Sequence, residues 1–143
     1  MHDSMMMGTE RQVRVQWVGH GKVFEGRTGN AKPVLLDGDS EVGPSPTEAL
    51  LMSLASCMAI DINVILEKSR VLVEELMVDV LGVRATEQPH RFTSLRILIT
   101  VEGPSERDQS KLERAAQLSH DKYCSVFHTL RPDLEVEVSA VRA

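Results

Sequence analysis

PSPTEALLMSLASCMAIDINVILEK, residues 44–68, is the stretch whose reading decides the fold. Ser45 is a favoured helix N-cap, Pro46 suits the first helical position, and Glu48 completes an S-x-x-E capping box. The pattern predicts a helix running to about Lys68, apolar on most of its faces through Ile65. Such a helix has to be covered on nearly all sides. One small sheet cannot do that, so a second copy of the chain is expected as part of the cover. Cys57 sits in the middle of this helix.

Working outward, VRVQW (13–17) alternates as a half-buried strand does, VGHGKVFEG (18–26) reads as a hairpin turning near Gly19 and Gly21, and PVLLD (33–37) gives a third short strand. DGDSEVGPSP is turn and loop chemistry. Beyond the helix, LMVDVLGVRA (76–85) and RFTSLRILITVEG (91–103) flank the turn-rich ATEQPH and predict a twisted antiparallel pair. Ser105 starts a second helix with Asp108 at the capping-box position, and Leu112, Ala115, Ala116, Ser119 and Tyr123 share one face of it. LEVEVSAV (134–141) alternates as a final strand. Strands joined mostly as hairpins, with helices inserted as blocks, make the class α+β rather than doubly wound α/β.

The chain of 143 residues is expected to form one domain, with residues 1–10 as a flexible leader. Hydrophobic content of 42% and charged content of 26% are ordinary for a globular protein. Only 3% of residues are aromatic, and the net charge of -5 argues against nonspecific nucleic-acid binding, which needs a basic face. The N-terminus lacks the pattern of a signal peptide. The uncharged apolar stretch 49–60 is shorter than the roughly 20 residues of a membrane span. A cytoplasmic location is therefore expected, where two cysteines are free, catalytic or redox-cycling rather than a permanent staple.

Cys57 admits two readings. It is either an inert core thiol or a nucleophile activated by a cation from elsewhere, because burial and the carboxylate of Asp61 one turn on both oppose the thiolate. Cys124, in HDKYCSVFHTL, falls near a helix end, and a helix N-terminus would lower its pKa. If the second helix continued unbroken, His120, Cys124 and His128 would line one face and form a rival, metal-binding set. No CxxC or HExxH motif accompanies them, and the expectation is no metal and no cofactor. Glu48 caps its own helix. It lies nine residues before Cys57, on the opposite face and roughly 13 Å away along the axis. They cannot build one site within a single helix, whereas two such helices packed antiparallel across a dimer would bring Glu48 of one near Cys57 of the other.

GPSPTEALLMSLASCMAIDI followed by LSHDKYCSVFHTL resembles the OsmC/Ohr family, over nearly the whole chain from about residue 10. The similarity rests on a P-x-E-x-L-x-x-A-x-x-x-C pattern in altered spacing, PTEALLMSLASC, with a second cysteine at a helix end, and it points to a less characterised OsmC-like branch. The resemblance implies an intertwined α+β homodimer, its long central helices packed by curved antiparallel sheets. It implies a thiol peroxidase that reduces organic hydroperoxides in oxidative stress defence, with Cys57 as the peroxidatic thiol and Cys124 as the resolving one. An external dithiol, of the lipoyl or another small type, would then reduce the Cys57–Cys124 disulfide. It also implies an arginine that stabilises the Cys57 thiolate and is held by Glu48; Arg27 is in the right region, with Arg14 the other choice. Ser125 stands where the family often has proline, and Asp61 is a further departure. The alternative is a non-catalytic module of the same fold that senses redox state or binds an apolar ligand, with Met52 and Met58 making its pocket adaptable.

Overall fold

A computed structural model describes residues 8–143, so most of the expected leader, residues 1–7, lies outside the described residues. The chain divides into two compact units, one ending at Leu50 and one spanning Leu51–Ala143.

The first unit is a three-stranded antiparallel sheet of β1 (Arg14–Trp17), β2 (Val23–Arg27) and β3 (Val34–Asp37), in that order. The β1–β2 turn closes where the glycines predicted it. Gly19 and Gly21 both take positive φ, +105° and +56°, which glycine adopts without the Cβ penalty. The indole Nε1 of Trp17 donates to the carbonyls of Gly21 at 3.0 Å and His20 at 3.2 Å, tying the turn to the strand. At the other end Asp37 is buried, and its carboxylate accepts from the backbone N–H groups of Asp39, Val42 and Glu41. Those bonds hold its carboxyl below the ordinary carboxylate range and shape the loop that delivers Ser45 to the helix start.

Helix α1 (Pro46–Lys68) begins there as expected. The Glu48 N–H donates to Ser45 Oγ at 3.2 Å and the Ser45 N–H to Glu48 Oε1 at 2.9 Å, a complete capping box. Its far end is closed by the Val71 N–H reaching the Leu66 carbonyl and the Arg70 N–H reaching the Glu67 carbonyl, both at 3.0 Å. Arg70 holds the left-handed conformation this closure requires, at φ +58°.

In the second unit β4 (Glu75–Arg84), β5 (Phe92–Glu102) and β6 (Glu135–Arg142) form a sheet in that order. β4 and β5 are the expected antiparallel pair. β6 runs parallel to β5, from Ser94 opposite Glu135 to Val101 opposite Arg142, so this sheet is mixed, which the hairpin pattern did not anticipate. The helical crossover between β5 and β6 supplies the long connection that a parallel pairing requires. It consists of a single 3₁₀ turn, then α2 (Gln109–Leu118), a π-turn over Ser119–Tyr123, and α3 (Ser125–Thr129).

The core follows from two periodicities. Leu54, Met58, Ile62 and Leu66 recur every four residues along α1 and are fully buried, while Leu95, Ile97, Ile99 and Val101 recur every two along β5. Leu112, Ala115 and Ala116 of α2 close the cluster, together with Cys124. Tyr123 does not share that face as its spacing predicted, because the π-turn rotates it outward to 49% exposure.

One stripe of α1 is thus covered and others are not. Ile60 is 64% exposed, Met52 58% and Val64 43%. By length and composition the whole helix is also long and apolar enough to cross a membrane, which its uncharged stretch alone had not suggested. Its buried stripe of Leu54, Met58, Ile62 and Leu66 belongs to the core of the second unit.

Candidate functional site

The π-turn builds the site. After Leu118 the chain widens by one residue, and the Cys124 N–H reaches back to the Ser119 carbonyl at 2.8 Å. Cys124 then takes an extended conformation, φ -74° and ψ 101°, and becomes the N-cap of α3, its Sγ accepting from the Phe127 N–H at 3.4 Å. Its side chain is fully buried against α1, where it meets Cys57. The two thiols are free and interact directly. Cys57 is half-buried and Cys124 is buried.

Asp61, one helical turn after Cys57, completes the cluster. A carboxylate oxygen of Asp61 and the sulfurs of Cys57 and Cys124 lie within 4.8 Å of one another. The Ser119 hydroxyl donates to Asp61 Oδ2 at 2.9 Å. Burial pushes the Cys124 thiol up to about 11; the neighbouring Cys57 and the charge of Asp61 push the same way, and the Phe127 N–H opposes them. The helix N-terminus was expected to lower this thiol, and desolvation outweighs it.

The other predicted residues lie elsewhere. The carboxylate of Glu48 accepts from Ser40 Oγ as well as from the Ser45 N–H, and those bonds hold it below the usual range. Arg27 donates from Nε to Glu25 Oε1 at 2.7 Å. Among the described residues an Arg27–Glu48 ion pair is not formed. The His120–Cys124–His128 face does not form either, because the extended backbone at Cys124 breaks the helix that would align it. His120 instead stacks on Phe127, ring centroids 4.5 Å apart, with its Nδ1 2.7 Å from Asp121 Oδ1. Among the described residues, those that could hold a metal are Cys57, Asp61 and Cys124, with Ser119 bonded behind the carboxylate.

Residues 37–139 match the sequence model of a family described as OsmC-like protein. The chain belongs to the OsmC-like family. Protein YhfA of Escherichia coli K12 is 39% identical over 116 residues, which cover 80% of this OsmC-like chain and 85% of that protein. A hypothetical protein from Aquifex aeolicus VF5 has the same fold, with a TM-score of 0.82 at 26% identity over 94% of this chain and 96% of that one. An organic hydroperoxide resistance protein from Elizabethkingia anophelis matches with a TM-score of 0.65 over 97% of this chain and all of its own, and at 12% identity it shares the fold alone. The α+β class and the family expected from PTEALLMSLASC and LSHDKYCSVFHTL are those found.

Sequence reasoning saw Asp61 only as an obstacle to the thiolate and saw Ser119 only as a helix-face residue. The available signal was a hydroxyl on an otherwise apolar face. A polar side chain at a core position needs a partner, and here that partner is Asp61.

Proposed function

We propose that this OsmC-like protein is a thiol-dependent peroxidase that reduces organic hydroperoxides in oxidative stress defence. The observation that carries the reading is the pairing of a reachable Cys57 thiol with a buried Cys124 thiol brought to it from 67 residues along the chain. A buried inert cysteine needs no such partner, whereas a two-step redox thiol does. The Cys57 thiolate attacks the peroxide, the O–O bond breaks, and the alcohol leaves with a proton, turning Cys57 into a sulfenic acid. Cys124 condenses with it, releasing water and forming the Cys57–Cys124 disulfide. A small external dithiol then restores both thiols by exchange and is itself oxidised.

The same reading takes Arg27 as the cation that activates Cys57 and Glu48 as the carboxylate that orients it. Its support is their position in the family pattern; the pairs each makes here, with Glu25 and with the serines, would exchange on assembly. It further takes the protein to be a cytoplasmic homodimer. The support for the dimer is the exposed apolar stripe of α1, Met52, Ile60 and Val64, since contiguous apolar surface marks interaction sites. Ile60→Lys is expected to halve the mass seen by light scattering.

Intact mass after one equivalent of cumene hydroperoxide tests the chemistry. Loss of two hydrogens is expected in the wild type, and a trappable sulfenic acid in Cys124→Ser. No change in either protein would overturn the peroxidase reading and leave a non-catalytic binding module.

A further inference from the structure

The cycle above leaves Asp61 without a task, although a carboxylate beside two thiols opposes the thiolate that the cycle needs. The residue is nevertheless held there deliberately. Ser119, fully buried, donates its hydroxyl proton to Asp61 Oδ2 at 2.9 Å, which orients one carboxylate oxygen inside the cluster. Asp61 also lines an open cleft of about 540 Å³, with Ile65 and Leu118 as apolar wall and Lys68, Arg114 and Tyr123 as its charged and titratable groups. The side chain is therefore shared between the sulfur cluster and the wall of the cleft.

Disulfide closure creates a need at this spot. Cys124 is the attacking sulfur, it is fully buried, and it must lose its proton as it attacks. A thiol fully buried beside a second thiol and a carboxylate holds its proton tightly, so its attack needs a base within reach. The groups facing this thiol are Cys57 and Asp61 on α1 and the Phe127 N–H on α3, and of these Asp61 is the one that accepts a proton.

We propose that Asp61 is the general base of disulfide closure, taking the proton of Cys124 and handing it outward. Its oxygen is within 4.8 Å of the sulfur, a span for direct transfer after a small rotation or for transfer through one water. In the proposed peroxidase cycle, on which this use rests, the S–S bond forms as the S–O bond of the Cys57 sulfenic acid breaks. The Cys124 proton passes to Asp61 and then to the departing hydroxide, which leaves as water. Cys124 is oxidised and the Cys57 sulfur reduced, with no further reactant. With any other leaving group on Cys57, the proton goes to water in the cleft.

A chromogenic aromatic disulfide tests this without any peroxide. Attack by Cys57 releases a first thionitrobenzoate, and attack by Cys124 on the mixed disulfide releases a second. In Asp61→Asn the first phase is expected to keep its rate or quicken, because a negative charge is gone. The second phase is expected to slow by about a hundredfold or more, the worth of a positioned base. It should also regain about tenfold per pH unit as hydroxide replaces the carboxylate, a slope that the wild type lacks. Ser119→Ala, which keeps the carboxylate but frees it, is expected to slow the second phase about tenfold, and it serves in its place if Asp61→Asn does not fold. A second phase within about twofold of wild type in the folded variants, or the same pH slope in both proteins, overturns the proposal. A wild type that shows both phases yet consumes no hydroperoxide overturns the peroxidase reading and leaves the role of Asp61 standing. A wild type with no second phase overturns both.

Discussion

The first turn of α1 and its middle turn each hold an acidic side chain, and the two are satisfied by opposite means. Glu48 is bound by Ser45 and Ser40, three and eight residues away. Asp61 is bound by Ser119, 58 residues away, and shares its space with a thiol from further still. A carboxylate met by its own neighbours finishes a local structure, since the helix start needs those bonds whatever packs around it. One met by a distant buried hydroxyl exists only in the folded chain. That is where the proposed chemistry is placed.

The contrast is broken most severely at Cys57. Cys57→Ser is expected to lose peroxide consumption by at least about a thousandfold, as removal of a nucleophile does, while the thermal midpoint stays nearly unchanged. Full activity in this variant would return the middle turn of α1 to ordinary core. Next comes the inequality of the two thiols. At pH 8 native protein should take up one alkyl group quickly, at Cys57, and Cys124 should react only above about pH 10 or after unfolding. The sign follows from its thiol, raised from 9.0 to about 11. The folded state holds that proton more tightly, so the associated stability is present below pH 9 and is lost as pH rises through 9 to 11. Peptide mapping of the alkylated protein decides it, and equal labelling would place Cys124 outside the core.

The first turn can be divided more finely. Ser45→Ala removes only the cap and should cost about 1 kcal/mol in denaturant unfolding, with turnover per folded molecule kept. Glu48→Gln should cost no more stability, yet lower turnover about tenfold if that carboxylate orients an arginine as proposed. Equal turnover in the two variants would make Glu48 a cap alone. The smallest effect is expected at the far end of the same helix. Arg70 adopts the left-handed conformation at φ +58° without being glycine. Arg70→Gly should therefore stabilise by about 1 kcal/mol, read as a shift of the denaturation midpoint.

These differences also separate what was legible in the sequence from what was not. The capping box at Ser45 and Glu48, the glycine turn after Trp17 and the alternation in β4, β5 and β6 are short-range patterns, and the elements they predict are present. The π-turn was not legible. Ser119–Tyr123 has the spacing of a continuing helix, and a π-turn ending in the bond from the Cys124 N–H to the Ser119 carbonyl diverts it. With that turn Tyr123 stands half exposed, Cys124 lies in the core, and the His120–Cys124–His128 face does not form. The parallel docking of β6 on β5 was hidden for a related reason, because alternation shows which face of a strand is buried and not which neighbour it pairs with.

By itself, then, the sequence determined the α+β element order, both ends of the central helix and the family, since each rests on neighbours a few residues apart whose geometry the backbone imposes. Only the tertiary structure decided that Cys57, Asp61, Ser119 and Cys124 form one cluster, and that the Cys124 thiol is raised rather than lowered. Desolvation and contact between distant side chains come into existence when the chain folds, and no local pattern encodes them.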